Sequence, residues 1–180
     1  MNPDELVALY RLPFSVPPLR ALSGLDEIDW SAVSDAYGPA TKISALLRAL
    51  ISVNPDHRNF ACQFLYQTIW HQGNVFSATA AAIPFLYNLL EAEGPHDKKA
   101  IAGLLALIAE GQPPFLHCAA DPQAAAEWRA ILSNAGRSLD AEIAESYKVS
   151  EAIRQQLALR PDLLTFCLQL TLDDSEEEGD

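Results

Sequence analysis

The side chains best suited to chemistry in this chain are its four histidines and three cysteines, and their spacing decides what they can do. His71 follows a predicted helix that carries Cys62, so an imidazole and a thiol occur near the same helix. A nucleophile and its base must lie within hydrogen-bond reach of each other, with a third group orienting the base. Cys62 falls deep within the helical pattern, and no orienting acid can be paired with His71. The sequence therefore predicts no catalytic residues and a protein that is not an enzyme.

Metal and cofactor sites have no supporting motif either. The histidines are scattered, no Cys-x-x-Cys or His-x-x-x-His spacing occurs, and the glycines form no phosphate-binding loop. We expect no metal and no cofactor. Cys62 and Cys167 lie in apolar helical patterns and are predicted to be buried, reduced thiols. His57 and His96 occupy similar turn positions and are predicted to be solvated.

The charge of the chain restricts its partners. The 180 residues include 24 acidic and 12 basic side chains, a formal net charge of −12. This balance argues against nucleic-acid binding and against docking on anionic membranes, because both depend on Lys and Arg. The segment 173–180 holds six acids and no base, and we predict a disordered tail. The N-terminus has no signal-peptide pattern, which together with reduced cysteines predicts a cytoplasmic location.

Hydrophobic spacing predicts the elements that carry these residues. Ile43, Leu46, Leu47 and Leu50 fall at i, i+3, i+4 and i+7, which is one apolar face of a helix. No stretch alternates like a strand, so we predict an all-α fold. Further helices are expected to start at Asn54-Pro55, Asp97, Asp121-Pro122 and Pro161.

Other residues predict where these helices end or bend. The segment 71–74 should stop one helix, with Gly73 in the left-handed conformation. Pro84 lies inside the next helical pattern, where it should kink the helix or mark a late start. The helix expected over residues 138–159 has a possible break near Ser150.

Two segments of the chain repeat with a period of about forty residues. Residues 43–50 precede a turn and Asp56, and residues 83–90 precede a turn and Asp97. Each unit resembles a HEAT repeat, in which an aspartate starts the second helix and a basic residue follows, here Arg58 and Lys99. The resemblance implies a short α-solenoid of helical hairpins with a right-handed superhelix. Two units cover 41–110 and a looser one 121–159, within one domain over 1–172 whose residues 1–40 form a proline-rich cap. An irregular helical bundle is the alternative.

Three motifs extend this resemblance to one bacterial family of HEAT-like proteins. Residues 36–40 read Ala-Tyr-Gly-Pro-Ala, residues 70–73 read Trp-His-Gln-Gly, and residues 83–86 read Ile-Pro-Phe-Leu. The Asp29-Trp30 pair also fits, and the similarity covers about residues 25–110. Membership would imply a binding scaffold, in some cases one encoded near toxin–immunity loci, and it carries over no catalytic residue.

A stretch without charge indicates a candidate contact surface. No Asp, Glu, Lys or Arg occurs over the thirty-two residues between Arg58 and Glu91, although aromatic residues are frequent there. Polar residues interrupt the stretch, so it is not a membrane span. Two buried central helices would explain it. An apolar concave face that binds a protein would explain it as well, because interface cores are poor in charge and rich in aromatic residues.

Acidic residues around Trp30 suggest the chemistry of the partner. These acids form either the solvated edge of the cap or a binding surface for a basic protein, with Trp30 as an anchor. The hypothesis with the widest support is a non-enzymatic protein-binding solenoid, most concretely an immunity protein that neutralises a basic toxin domain, as a monomer or weak dimer. A general adaptor is the alternative, and a ligand or enzymatic site near His71 comes third. The predicted partner-binding residues are Asp26, Glu27, Asp29, Trp30, Asp35, Trp70, His71, Gln72, Asn74 and Phe76.

Overall fold

The computed structural model describes residues 2–10 and 20–177, with side chains as far as Leu170. The described chain is mostly helical, which confirms the predicted class. Its α-helices are α1 (Pro3–Tyr10), α2 (Ile43–Ala49), α3 (Pro55–Thr68), α4 (Ser77–Glu91), α5 (Lys98–Glu110), α6 (Pro122–Asn134), α7 (Leu139–Leu157) and α8 (Pro161–Glu177). Short 3-10 helices cover Arg20–Leu22, Leu25–Glu27 and Leu116–Ala119.

Side chains cap the helices where the sequence predicted it. The Asn54 side chain accepts a hydrogen bond from the Asp56 amide at 2.9 Å and so begins α3. Asp97 accepts from the Ala100 amide at 3.1 Å to begin α5. Asp121 accepts from two amides at the start of α6. These caps satisfy amide groups that have no partner within the helix.

The structure contains two short antiparallel hairpins that the sequence did not predict. β1 (Ser34–Asp35) pairs with β2 (Gly38–Pro39), and β3 (Trp70–His71) pairs with β4 (Asn74–Val75). Gln72 and Gly73 form the two-residue loop of the second hairpin, with φ of 51° and 83°. Both values are positive, as a type I′ turn requires, and Gly73 takes the predicted left-handed conformation. The segment 71–74 therefore turns the chain as a hairpin.

Helix α4 lies at the centre of the packing. It contacts α2, α5 and α7, and α5 in turn contacts α8. Helix α7 therefore lies on α4, and α8 lies on α5. The looser unit predicted over 121–159 covers α6 and α7, which contact each other, and α6 also packs with the Leu116–Ala119 turn. There, Cys118, Leu132 and Leu139 form a small core of their own.

The uncharged stretch forms most of α3, the second hairpin and all of α4 except its last residue, Glu91. Most of α4 is buried, which accounts for the lack of charge in that helix. In contrast, α3 keeps Gln63 and Gln67 exposed on its outer side. Pro84 lies within α4, which begins at Ser77, and α7 runs unbroken through Ser150. Among the described residues, no helix is both long and apolar enough to cross a membrane.

Parts of the predicted cap and tail cannot be compared with the structure. Pro13, Pro17 and Pro18 of the proline-rich cap lie outside the described residues. Helix α8 extends to Glu177, so it includes the first part of the segment 173–180, and residues 178–180 lie outside the described residues. The disorder predicted for this tail stays a prediction.

Replacement of core leucines should test the register of the central helices. Leu47, Leu86 and Leu105 are fully buried on α2, α4 and α5. Each Leu→Ala change should lower the free energy of unfolding by about 2–5 kcal/mol, because it removes buried methyl groups and leaves a cavity. Leu159→Ala is the control, since Leu159 is 64% exposed, and it should change stability by less than about 0.5 kcal/mol. Urea unfolding measures all four, and small losses at two of the core sites would contradict the register.

Candidate functional site

A buried hydroxyl group fixes the junction between α3 and α4. Thr79 is fully buried, and its Oγ1 accepts a hydrogen bond from the Phe76 amide at 2.8 Å. The same hydroxyl donates to the carbonyl oxygen of Ile69, the residue that ends α3. One uncharged side chain thus satisfies an amide at the start of α4 and a carbonyl at the end of α3. The hairpin β3–β4 lies between these two points, so its position is set by this contact.

The first hairpin is held against the same junction. The Ala36 amide donates to the carbonyl of Thr68 at 3.0 Å, and the Ser34 amide donates to Ser77 Oγ at 2.9 Å. Tyr37 stands at the loop of this hairpin and is 67% exposed. Its ring meets the His71 ring edge to face, with 5.6 Å between centroids. The two hairpins therefore lie side by side at the start of α4.

A loop after α5 completes the arrangement. The Gln112 amide donates to the Gly73 carbonyl at 2.9 Å, and the Val75 amide donates to the Gln112 carbonyl at 3.1 Å. Three residues later, Phe115 has a left-handed backbone with φ of 66°, which is unfavourable for an aromatic residue. Its ring packs edge to face on Trp128 at 5.1 Å, which helps hold the backbone in this conformation.

These elements and α7 surround a cleft of about 450 Å³, which we call the acidic cleft. The first hairpin, the start of α4, the loop after α5 and the first half of α7 each contribute side chains. Ser146 of α7 donates its hydroxyl to the Pro114 carbonyl and so joins two of the walls. The polar and charged lining residues are Ser34, Asp35, Ser77, Arg137, Glu142, Glu145 and Ser146, and the apolar ones include Val75, Phe76, Pro113, Pro114, Phe115 and Val149.

Negative charge predominates in this cleft, with three carboxylates against one guanidinium. Glu142 is already paired, since Arg137 Nε donates to its Oε1 at 2.8 Å. Glu145 has only an exposed contact of 3.3 Å with Lys148, which contributes little. Burial raises the pKa of Asp35, against the opposing effects of the Tyr37 and Gly38 amides and of the Lys42 charge. Asp35 is therefore a partly desolvated carboxylate that an incoming cation would stabilise.

The structure brings part of the predicted site together. Asp35 and Phe76 line the acidic cleft. The other predicted residues of this region lie on the adjoining hairpin, where Gln72 is exposed at the turn and the rest are half-buried: Trp70, His71 and Asn74. They form a rim beside the cleft, with Tyr37 as their exposed neighbour.

The prediction that Trp30 anchors a partner at the surface is wrong. Its side chain is 7% exposed, and its indole N–H donates to the Leu25 carbonyl at 3.0 Å. The ring packs in the main core and so offers no face to a partner. Glu27 and Asp29 are exposed as expected, but Asp29 lies in a local turn where hydrogen bonds from Ser31 lower its pKa.

Asp26 has a structural partner rather than a free carboxylate. It pairs with Arg48 of α2, whose side chain is 8% exposed, whereas that of Asp26 is 68% exposed. A guanidinium buried to this degree needs an anion or acceptor beside it. Asp26 therefore ties the Leu25–Glu27 turn to α2.

The residues that the sequence did not predict come from distant segments. Arg137, Glu142, Glu145 and Ser146 lie about a hundred residues after Asp35 in the chain. On α7 the acids belong to a mixed charge pattern that is typical of a solvated helix face. Only the packing of α7 against α4 brings them to the cleft. Pro113 and Pro114 predict a loop, but the sequence does not show that this loop lines the cleft.

The described thiols and histidines offer little reactive chemistry. Burial raises the pKa of the Cys62 thiol to about 11, so it is protonated at neutral pH and is a poor nucleophile. No group of three or more metal-ligating side chains occurs in the part of the chain that the structure describes. His57 and His96 are not simple solvated turn residues. His57 Nδ1 lies 2.7 Å from the Tyr10 hydroxyl, and buried His96 lies with Nε2 2.6 Å from the Leu89 carbonyl.

Comparisons with protein-family models, with curated proteins and with solved structures find no match for this chain.

Removal of the Thr79 hydroxyl should destabilise the hairpin junction. Thr79→Val keeps the shape of the side chain but leaves the Phe76 amide and the Ile69 carbonyl without their partner. We expect a loss of about 2–3 kcal/mol in the free energy of unfolding, because buried unpaired polar groups are costly. Thr165→Val is the matched control, since Thr165 also bonds a carbonyl but at an exposed site, and it should cost less than about 0.5 kcal/mol. Equal losses in the two variants would contradict the role of Thr79.

Neutralisation of Asp26 should cost stability, unlike neutralisation of its neighbour. Asp26→Asn removes the charge opposite the buried Arg48 guanidinium and should lower the free energy of unfolding by about 1–2 kcal/mol, less than for a fully buried pair. Glu27→Gln changes an adjacent exposed acid and should remain within about 0.5 kcal/mol of the wild type. Urea unfolding of both variants at low ionic strength measures the difference, and an unchanged stability of Asp26→Asn would show that Arg48 does not depend on this pair.

Proposed function

We propose that this chain binds a basic protein and that the acidic cleft receives a lysine or arginine side chain of that partner. The observation that carries the proposal is the half-buried Asp35 carboxylate, which lies in a cleft with Glu145 and is stabilised mainly by backbone amides. An entering cation would replace lost solvation with a charge-assisted hydrogen bond.

The walls of the cleft support a protein partner rather than a free ion. Phe76 and Phe115 are both half-buried in the lining, so each leaves part of a ring available. Aromatic faces next to carboxylates suit the alkyl stem and the charged head of a lysine or arginine. The rim residues Tyr37 and His71 extend this surface beyond the cleft.

The packing of the helices is consistent with a HEAT-like solenoid. In this interpretation α2–α3 and α4–α5 are successive hairpins of a short right-handed superhelix, and α7 and α8 continue it against α4 and α5, with α6 inserted before them. Solenoids present extended surfaces for protein binding. With the motif resemblance over residues 25–110, this favours an immunity protein that acts in the cytoplasm as a monomer or weak dimer and neutralises a basic toxin domain.

Two double variants with the same net charge as each other should test the role of the cleft. Asp35→Asn with Glu145→Gln removes two charges in the cleft. Asp140→Asn with Glu127→Gln removes two charges from exposed side chains outside both clefts. A partner captured by affinity purification should bind the cleft variant about tenfold or more weakly, mainly through faster dissociation. The control should change affinity less than about threefold, through slower association.

Acidification should weaken the complex for the same reason. The raised pKa of Asp35 means that it gains a proton at a higher pH than an ordinary aspartate. The affinity of the wild type for its partner should therefore fall as the pH is lowered through the pKa of Asp35. The Asp35→Asn variant should lose that part of the pH dependence. An acidic captured partner, or equal binding by the two double variants, would contradict the proposal.

The identity of the captured partner separates an immunity protein from a general adaptor. For a toxin domain, co-expression with the wild-type chain should restore cell growth, and co-expression with the cleft variant should not. A non-toxic basic partner that still requires Asp35 and Glu145 would favour the adaptor.

A further inference from the structure

A second cleft adjoins the acidic one. It encloses about 410 Å³ between the end of α5, the second half of α7 and the start of α8. Its lining is mostly apolar, and we call it the apolar cleft. The side chains that define it are Ile108, Ile153, Leu157, Ala158 and Leu164, with Ser150 and Arg154 among its polar residues.

The two clefts meet along one helix. Val75 and Pro113 line both of them, and α7 forms a wall of each. Four residues of α7 face the acidic cleft, namely Glu142, Glu145, Ser146 and Val149, and four more continue along the apolar one, namely Ser150, Ile153, Arg154 and Leu157. Fifteen residues of helix separate Glu142 from Leu157, a distance of about 22 Å at 1.5 Å per residue. The clefts therefore form one furrow that is acidic at one end and apolar at the other.

We propose that this furrow binds an extended segment of the partner, with a basic residue at the acidic end and an apolar residue at the other. The inference rests on the proposed function and specifies how that partner binds. An extended chain rises about 3.3 Å per residue, so about seven residues reach along the furrow. Charge complementarity places the basic residue near Asp35 and Glu145, and burial of apolar area holds the other end against Ile153 and Leu157.

The distance between the two anchors suits an extended segment better than a helix. A helical segment would need about fifteen residues to reach from one end of the furrow to the other, whereas an extended segment carries both anchors within a single short motif.

Selection from a displayed library of random heptapeptides provides the probe. Peptides enriched on the immobilised chain should carry Lys or Arg and a large apolar residue about four to six positions apart. The best peptide is then synthesised with a fluorophore, and its affinity is measured by fluorescence polarisation. Absence of enrichment, or enriched peptides without a basic residue, would overturn the proposal.

Substitutions along α7 locate the bound peptide. Ser150→Phe places a bulky side chain where the two clefts meet and should weaken the peptide about tenfold or more. Ala144→Phe adds the same ring at an exposed position of α7 outside both linings and should change affinity less than about twofold. Circular dichroism checks the fold of both. If Ser150→Phe does not fold, Ala158→Glu at the exposed edge of the apolar cleft takes its place, with an expected loss of about fivefold.

The two proposals fail in different ways. If the captured protein depends on Asp35 and Glu145 but binds Ser150→Phe as tightly as the wild type, the furrow is wrong and the proposed function stands. If the enriched peptides carry a basic and an apolar residue at the expected spacing but no basic protein is captured, the furrow binds peptides as proposed and the proposed function is wrong.

Discussion

The hydroxyl of Thr79 is the contact on which the rest of this structure most depends. Helix α4 is buried on most sides, so the amides at its start cannot rely on water, and the uncharged stretch provides no carboxylate to cap them. Thr79 solves this from inside the helix, by bonding the Phe76 amide and the Ile69 carbonyl at once. Because both hairpins and the loop after α5 are bonded to this junction, the walls of the acidic cleft take their positions from it.

The uncharged stretch is buried in one element and partly exposed in another. In α4, the lack of charge follows from contacts with helices on several sides. In the β3–β4 hairpin, the same lack of charge leaves aromatic and amide side chains at the surface beside a group of carboxylates. The basic partner proposed above would meet little charge to desolvate at this rim, while the nearby acids would still attract it over a longer range.

Local signals in the sequence predicted the helices well, because each signal acts within a few residues. Asn54, Asp97 and Asp121 cap their own helices, and Leu46 and Leu47 show which face of α2 is buried. The hairpins could not be predicted, since strands of two residues are too short to show alternation. The prediction of an exposed Trp30 failed because its indole N–H donates to the carbonyl of Leu25, five residues away, which allows the ring to be buried. The acids of α7 reach the cleft only through helix packing, which no local pattern encodes.

The separate small core around α6 has an evolutionary consequence. Cys118, Leu132 and Leu139 pack apart from the main core, so the segment between Gly111 and Ser138 packs mainly on itself and on the start of α7. Its two ends nevertheless supply Phe115 and Arg137 to the acidic cleft. Insertions, deletions or exchanges within this segment would reshape one side of the acidic cleft and leave the main core of the central helices intact. The outline of the cleft and the scaffold beneath it are therefore free to change independently of each other.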